Sequence, residues 1–135
     1  MGYGICGIWD FQSINDVMKD EMLRRTKDIA LKIIIFCDEL PPDKKLFNIQ
    51  KQLIRSASSV GANYRVVKRA KSTSDFIHKL TIVEEEADET LFWLELLSEL
   101  YPNPEKITPL YKEMEEILSI VVASIKTAKR NQHQK

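Results

Sequence analysis

Glycine is nearly absent from the body of this 135-residue chain: Gly2, Gly4 and Gly7 lie at its start and Gly61 alone lies beyond them. The five prolines, Pro41, Pro42, Pro102, Pro104 and Pro109, fall in two clusters. Long stretches without either residue, and without strand-like alternation, exclude a turn-rich β protein. Cysteine is equally scarce. Cys6 and Cys37 have no metal-ligand spacing, so two reduced thiols in a cytosolic protein are expected. The longest apolar run, Ile33-Ile34-Ile35-Phe36-Cys37, is closed by Lys32 and Asp38, far short of the ~20 residues that span a bilayer. The first residues lack a basic segment followed by an apolar one, so no secretory signal is expected and a cytoplasmic location is. Excess charge is missing too. Twenty basic and 20 acidic residues cancel, so any attraction to nucleic acid must be local. There is no Gly-rich phosphate loop, nucleophile elbow, Cys-His pairing or zinc spacing. Hence no catalytic residue, no cofactor and no enzyme activity is expected.

What is present is helical periodicity. With 44% hydrophobic and 30% charged residues, the composition suits one folded domain. Apolar positions recur at spacings of three and four in four segments. The first runs from about Ile14 to Glu39 through Met22, Thr26, Ile29, Ile33, Phe36 and Leu40, and Pro41-Pro42 ends it. The second, about Lys45 to Ala70, carries Leu46, Ile49, Leu53, Ala57, Val60, Tyr64 and Val67. A third follows a cap at Ser72 or Ser74 and runs to about Leu100 through Phe76, Leu80, Val83, Ala87, Leu91, Leu94 and Leu97. The fourth starts at Pro104 or Pro109 and reaches about Lys129 through Leu110, Met114, Ile117, Val121 and Ile125. Short connections make an antiparallel up-down-up-down four-helix bundle over residues 14–130. Residues 1–13, with Trp9, form a flexible or docked extension, and residues 131–135 a disordered tail.

Charge is unevenly placed along this plan. Leu46 to Lys71 holds Lys51, Arg55, Arg65, Lys68, Arg69 and Lys71 and no acid. Ser72 to Leu100 holds eight acids against Lys79 alone. In an up-down bundle the ends of the second and fourth helices share a pole, which gathers Arg65, Lys68, Arg69, Lys71, Lys126, Lys129 and Arg130. Lys19, Arg24 and Arg25 approach it from the first helix, and so do Asp16, Asp20 and Glu21. Such a cluster can bind a phosphate backbone; the plainer alternative is compensation of helix dipoles and solvated charge. The block Glu84–Glu89 calls for basic partners, with Arg55 or Arg69 expected. Gly61, among Ser56, Ala57, Ser58, Ser59 and Ala62, marks a close approach of another helix. Asn63 beside it is a candidate to set helix register through a buried hydrogen bond. Arg55, Gly61, Asn63, Glu84, Glu85, Asp88 and Trp93 thus form an interface or structural set. Asp75-x-x-His78 upstream of those carboxylates is half of a di-iron pattern. The second half is missing and His133 lies in the tail, so no metal is expected.

Ser59-Val60-Gly61-Ala62-Asn63-Tyr64-Arg65, Arg69-Ala70-Lys71-Ser72, Asp75-Phe76-Ile77 and Glu84 to Leu97 together carry a resemblance. From about Met18 to Arg130 the chain resembles the family called four helix bundle proteins. Its members were first noticed as reading frames inside intervening sequences of bacterial large-subunit ribosomal RNA genes, and many are labelled ribosomal proteins. The resemblance implies a four-helix bundle assembled into a ring-shaped homo-oligomer, a homopentamer. A basic relative, the accessory protein of diversity-generating retroelements, implies RNA or DNA and a reverse transcriptase as partners. The function expected is therefore a non-enzymatic binding module, the alternative being an interaction protein that only assembles with itself.

Overall fold

A computed structural model describes residues 11–133, with side chains from residue 20 onward. The proposed docking of Trp9, the side chains of Asp16 and Lys19, and residues 134–135 lie outside the described residues. Four helices make up the fold: α1 Phe11–Asp38, α2 Lys44–Val67, α3 Thr73–Leu100 and α4 Pro104–His133. Contacts run α1 to α2, α2 to α3, α3 to α4 and α4 back to α1, so each helix packs on two others.

The stripes read from the sequence are the core. Ile29, Ile33, Leu53, Val60, Leu80, Val83, Leu94, Leu97, Met114, Ile117 and Val121 are all but sealed from solvent. Each helix buries one face because only every third or fourth side chain can point at the neighbours. Three polar residues join this core: Thr26, Ser56 and Thr90. Ser56 and Thr90 are fully buried, and the Thr90 hydroxyl donates to Ser56 Oγ at 2.9 Å, linking α2 to α3. Ser56 in turn lies 3.3 Å from the Leu53 carbonyl, and Thr90 lies 2.8 Å from the Glu86 carbonyl. The two hydroxyls have two protons and three acceptors within reach, so neither group is buried unpaired.

The helix ends differ from the sequence reading in three places, and the last helix takes Pro104 of the two starts that reading offered. α1 begins at Phe11 rather than Ile14, since no glycine or proline interrupts residues 11–39. α2 stops at Val67 rather than Ala70, and Arg69 N–H and Ala70 N–H fall back on Val66 O and Val67 O in tight turns. The cause lies across the turn: Ser72 caps α3 by accepting from Asp75 N–H at 3.0 Å, while the Asp75 carboxylate accepts from Lys71 N–H at 3.0 Å. α4 starts at Pro104, with the Asn103 carbonyl accepting from Ile107 N–H at 2.9 Å, so Pro109 sits inside it. Its other end continues to His133, where a disordered tail from residue 131 was expected, because Gln132 Nε2 donates to Ser74 Oγ at 2.8 Å.

Candidate nucleic-acid interface

Two side-chain contacts assemble one pole of the bundle. Lys68 Nζ donates to Asp20 Oδ1 at 2.9 Å and ties the end of α2 to α1. The Gln132–Ser74 bond ties the end of α4 to the start of α3. Around these ties stand Arg65, Arg69, Lys71, Lys126, Lys129 and Arg130, all exposed. Lys68, Arg69 and Lys71 project from the α2–α3 turn, not from the last turn of a helix.

The pole's described acids are already engaged. Asp20 is held by Lys68, and Glu21 by Arg24 at 2.6 Å. Asp75 is held by Lys79 at 2.8 Å. The Lys79 hydrogen bond, with that of Lys71 N–H behind it, keeps the Asp75 carboxyl below the usual aspartate range. Arg25 faces away from the pole's solvent: its guanidinium grips Glu113 at 2.7 and 2.9 Å and reaches Glu116 at 3.0 Å. That leaves six exposed bases that form no ion pair among the described residues. Chemically the pole can neutralise anionic groups, phosphates or carboxylates alike.

The other expected site residues separate into distinct places. Arg55 spans from α2 to α3, bonding Glu86 at 3.3 Å and Glu89 more closely. The Arg55 bond, ahead of one from Trp93, holds the Glu89 carboxyl below its ordinary range. Trp93 Nε1 donates to Glu89 Oε1 at 3.2 Å, and its ring meets Phe92 edge-on at 5.2 Å. Arg69 does not reach the acidic block, which begins roughly 16 Å along α3 at 1.5 Å per residue. Glu84, Glu85 and Asp88 form no ion pair among the described residues, and Glu85 and Asp88 face solvent. Among the described residues Asn63 makes no hydrogen bond between helices. Its amide donates to Ser59 O at 2.8 Å, one turn back on α2, and the buried interhelical polar link is Ser56–Thr90 instead.

Gly61 does mark a close approach, and the visitor is α1: a Cβ placed there would stand 3.3 Å from the Thr26 carbonyl oxygen. His78 is exposed on α3. Among the described residues no group of three His, Cys, Asp or Glu is disposed to hold a metal, and no helix is long and apolar enough to cross a membrane. Missed from the sequence were Ile34 and Ile35, both exposed. The signal was available: a run of five apolar residues covers more than one face of a helix, so some must point outward.

The architecture defines a small all-α protein, a four-helix bundle with one basic pole. The chain belongs to the 23S rRNA-intervening sequence protein family, whose profile matches residues 18–123. It is similar to a crystal structure of a protein of unknown function from the S23 ribosomal protein family of Bacteroides thetaiotaomicron. The two are 34% identical with a TM-score of 0.73, over 80% of this chain and 97% of that one. No curated protein matches the chain.

Proposed function

We propose that this protein is a non-enzymatic, cytoplasmic binding module that holds nucleic acid at its basic pole. In this reading the four helices run up-down-up-down and the chain works as a homo-oligomer, a pentameric ring as the family resemblance implies, so the pole is repeated around the ring. The observation that carries the reading is the surplus of charge: six exposed bases remain after the pole's described acids are paired. A phosphate backbone needs density of Lys and Arg more than any exact geometry, and repetition in a ring multiplies it. A reverse transcriptase is the second candidate partner, on the strength of the resemblance alone.

Gel-shift titrations against structured RNA and duplex DNA test it. Binding is expected at low salt, weakening with a log–log slope of about −0.7 to −0.9 per phosphate neutralised. The Arg65→Ala/Arg69→Ala/Lys71→Ala variant should flatten that slope by roughly two to three units if each base meets one phosphate. No retardation at low salt, or binding indifferent to ionic strength, refutes the reading. The alternative, a protein that only assembles with itself, is favoured if the same variant changes the oligomer and no nucleic-acid complex exists to lose.

A further inference from the structure

Among the described residues two exposed apolar surfaces stand beside charged rows, and they are not alike. The first is a groove of about 550 Å³ between the end of α1 and the start of α2, with Ile34, Ile35, Phe47 and Ile54 among its lining. Ile34 is 41% exposed, Ile35 60% and Phe47 53%. Leu31, one turn earlier on α1, is half exposed as well. The second is a ridge on α3, where Phe92 stands 51% exposed. Large apolar patches on a solitary protein are uncommon and mark contact sites.

Charge distinguishes the two. Beside Phe47, Lys44 and Lys51 are exposed and form no ion pair among the described residues, while Asp38 is the one acid of the lining. On α3, Phe92 stands in an exposed row with Glu85, Asp88, Glu95 and Glu99, spaced by three and four. Groove against groove would oppose lysine to lysine and leave Phe92 in water. Ridge against ridge would oppose two acidic rows. Only ridge against groove covers both apolar surfaces and matches opposite charge.

We propose that a second copy of this chain fills the groove, inserting Phe92 of its α3 ridge between Ile35 and Phe47 while its acidic row meets Lys44 and Lys51. This rests on the self-association proposed above and adds which surfaces meet. The contact is heterologous, each copy offering one socket and one plug, which is the arrangement that builds rings.

Mixing separates it from the alternatives. Ile35→Asp spoils the socket and keeps the plug; Phe92→Asp does the reverse. Both positions are exposed, and circular dichroism checks that each variant keeps its helices. Phe47→Asp replaces Ile35→Asp should that variant lose them, and Phe92→Ala replaces Phe92→Asp. By light scattering the native protein should exceed the 15.7 kDa of one chain, and each variant alone should fall to that mass. An equimolar mixture should return a particle of twice that mass and no larger, because one intact plug meets one intact socket and the chain of contacts stops. A native protein of single-chain mass refutes self-association and this contact together. A native oligomer left intact by either variant, or variants that stay monomeric when mixed, overturns the contact and leaves self-association standing.

Discussion

Gly61→Ala sets two opposed effects against each other, and the structure says which wins. Alanine in mid-helix is favoured over glycine by about 1 kcal/mol. Against this, the new methyl would stand 3.3 Å from the Thr26 carbonyl oxygen, 3.5 Å from its carbon and 3.7 Å from Lys27 N. These are backbone atoms, so no side chain can rotate aside; α1 itself must withdraw by a few tenths of an ångström. It is held against doing so. Arg25, adjacent to Thr26, is locked to Glu113 and Glu116 on α4. Further along, Gln50 Nε2 donates to the Cys37 carbonyl at 2.7 Å and ties α1 to α2. Overpacking a filled contact costs about 1–3 kcal/mol. The expected net result is destabilisation by about 1 kcal/mol, or roughly 3–5 °C in Tm for a chain of this size. Gly61→Val, which adds two more carbons and a β-branch, should cost at least about 3 kcal/mol. Urea unfolding at fixed protein concentration, with unchanged m values, measures both. A Gly61→Ala protein more stable than the native one by about 1 kcal/mol would mean that α1 and α2 are not in contact there.

Other perturbations have simpler signs. Arg25 is 16% exposed and Glu113 31%, but Glu116 is 64% exposed; Glu113→Gln should therefore cost about 1–2 kcal/mol and Glu116→Gln under about 0.5 kcal/mol in urea melts. Arg25→Lys should lose most of what Arg25→Met loses, since an ammonium cannot grip Glu113 with two parallel bonds. Burial pushes the Cys37 thiol up to about 11, so at pH 8 about 0.1% is thiolate. Mass spectrometry after iodoacetamide should show the Cys37 peptide labelled at least roughly 100-fold more slowly in the folded protein than in urea. For the Arg55–Glu89 pair, the folded carboxyl is held down by Arg55. Its stabilisation is present above the ordinary glutamate value of 4.5 and lost as pH falls through the lower folded value. With both groups about a third or more exposed, solvent screening keeps the effect small. Arg55→Met should remove that part of the acid dependence, as read from urea midpoints between pH 3 and about pH 6.

Periodicity made the fold legible, because a 3.6-residue repeat with one buried face leaves an apolar mark every third or fourth position. Proline marked the turns, and the lone glycine marked the close approach. What escaped depends on contacts that spacing alone does not reveal, some across a turn and some between segments far apart in the chain. The end of α2 is set by Asp75 reaching the Lys71 N–H, while nothing in Lys68-Arg69-Ala70-Lys71 forbids a helix. The choice of Ser56 and Thr90 rather than Asn63 as the buried link depends on which α2 side chains meet α3. A seam assigned by spacing alone cannot distinguish a half-buried position from a sealed one. For the basic pole, the residues could be named in advance but the state of its acids could not, since Asp20 finds Lys68 across 48 positions.

The separation of charge has a further consequence. Beyond Arg55 the bases are Arg65 near the end of α2 and Lys68, Arg69 and Lys71 in the turn that follows, while α3 carries most of its acids from Glu84 onward. With the two helices side by side, only Arg55 lies level with Glu86 and Glu89. Neutrality of the whole chain therefore hides a basic pole and an acidic flank that cannot cancel each other. Both proposed contacts draw on this, but in different proportion. Nucleic acid at the pole would be held by charge alone, and its binding should decline steeply with added salt. Copies docked through Phe92 and the Ile35–Phe47 groove would also bury apolar surface, which salt does not screen. A sodium chloride titration followed by light scattering should accordingly release nucleic acid first and leave an assembly of unchanged mass. Loss of the assembly at or below the salt concentration that frees the nucleic acid would show that charge, and not the apolar groove, holds the copies together.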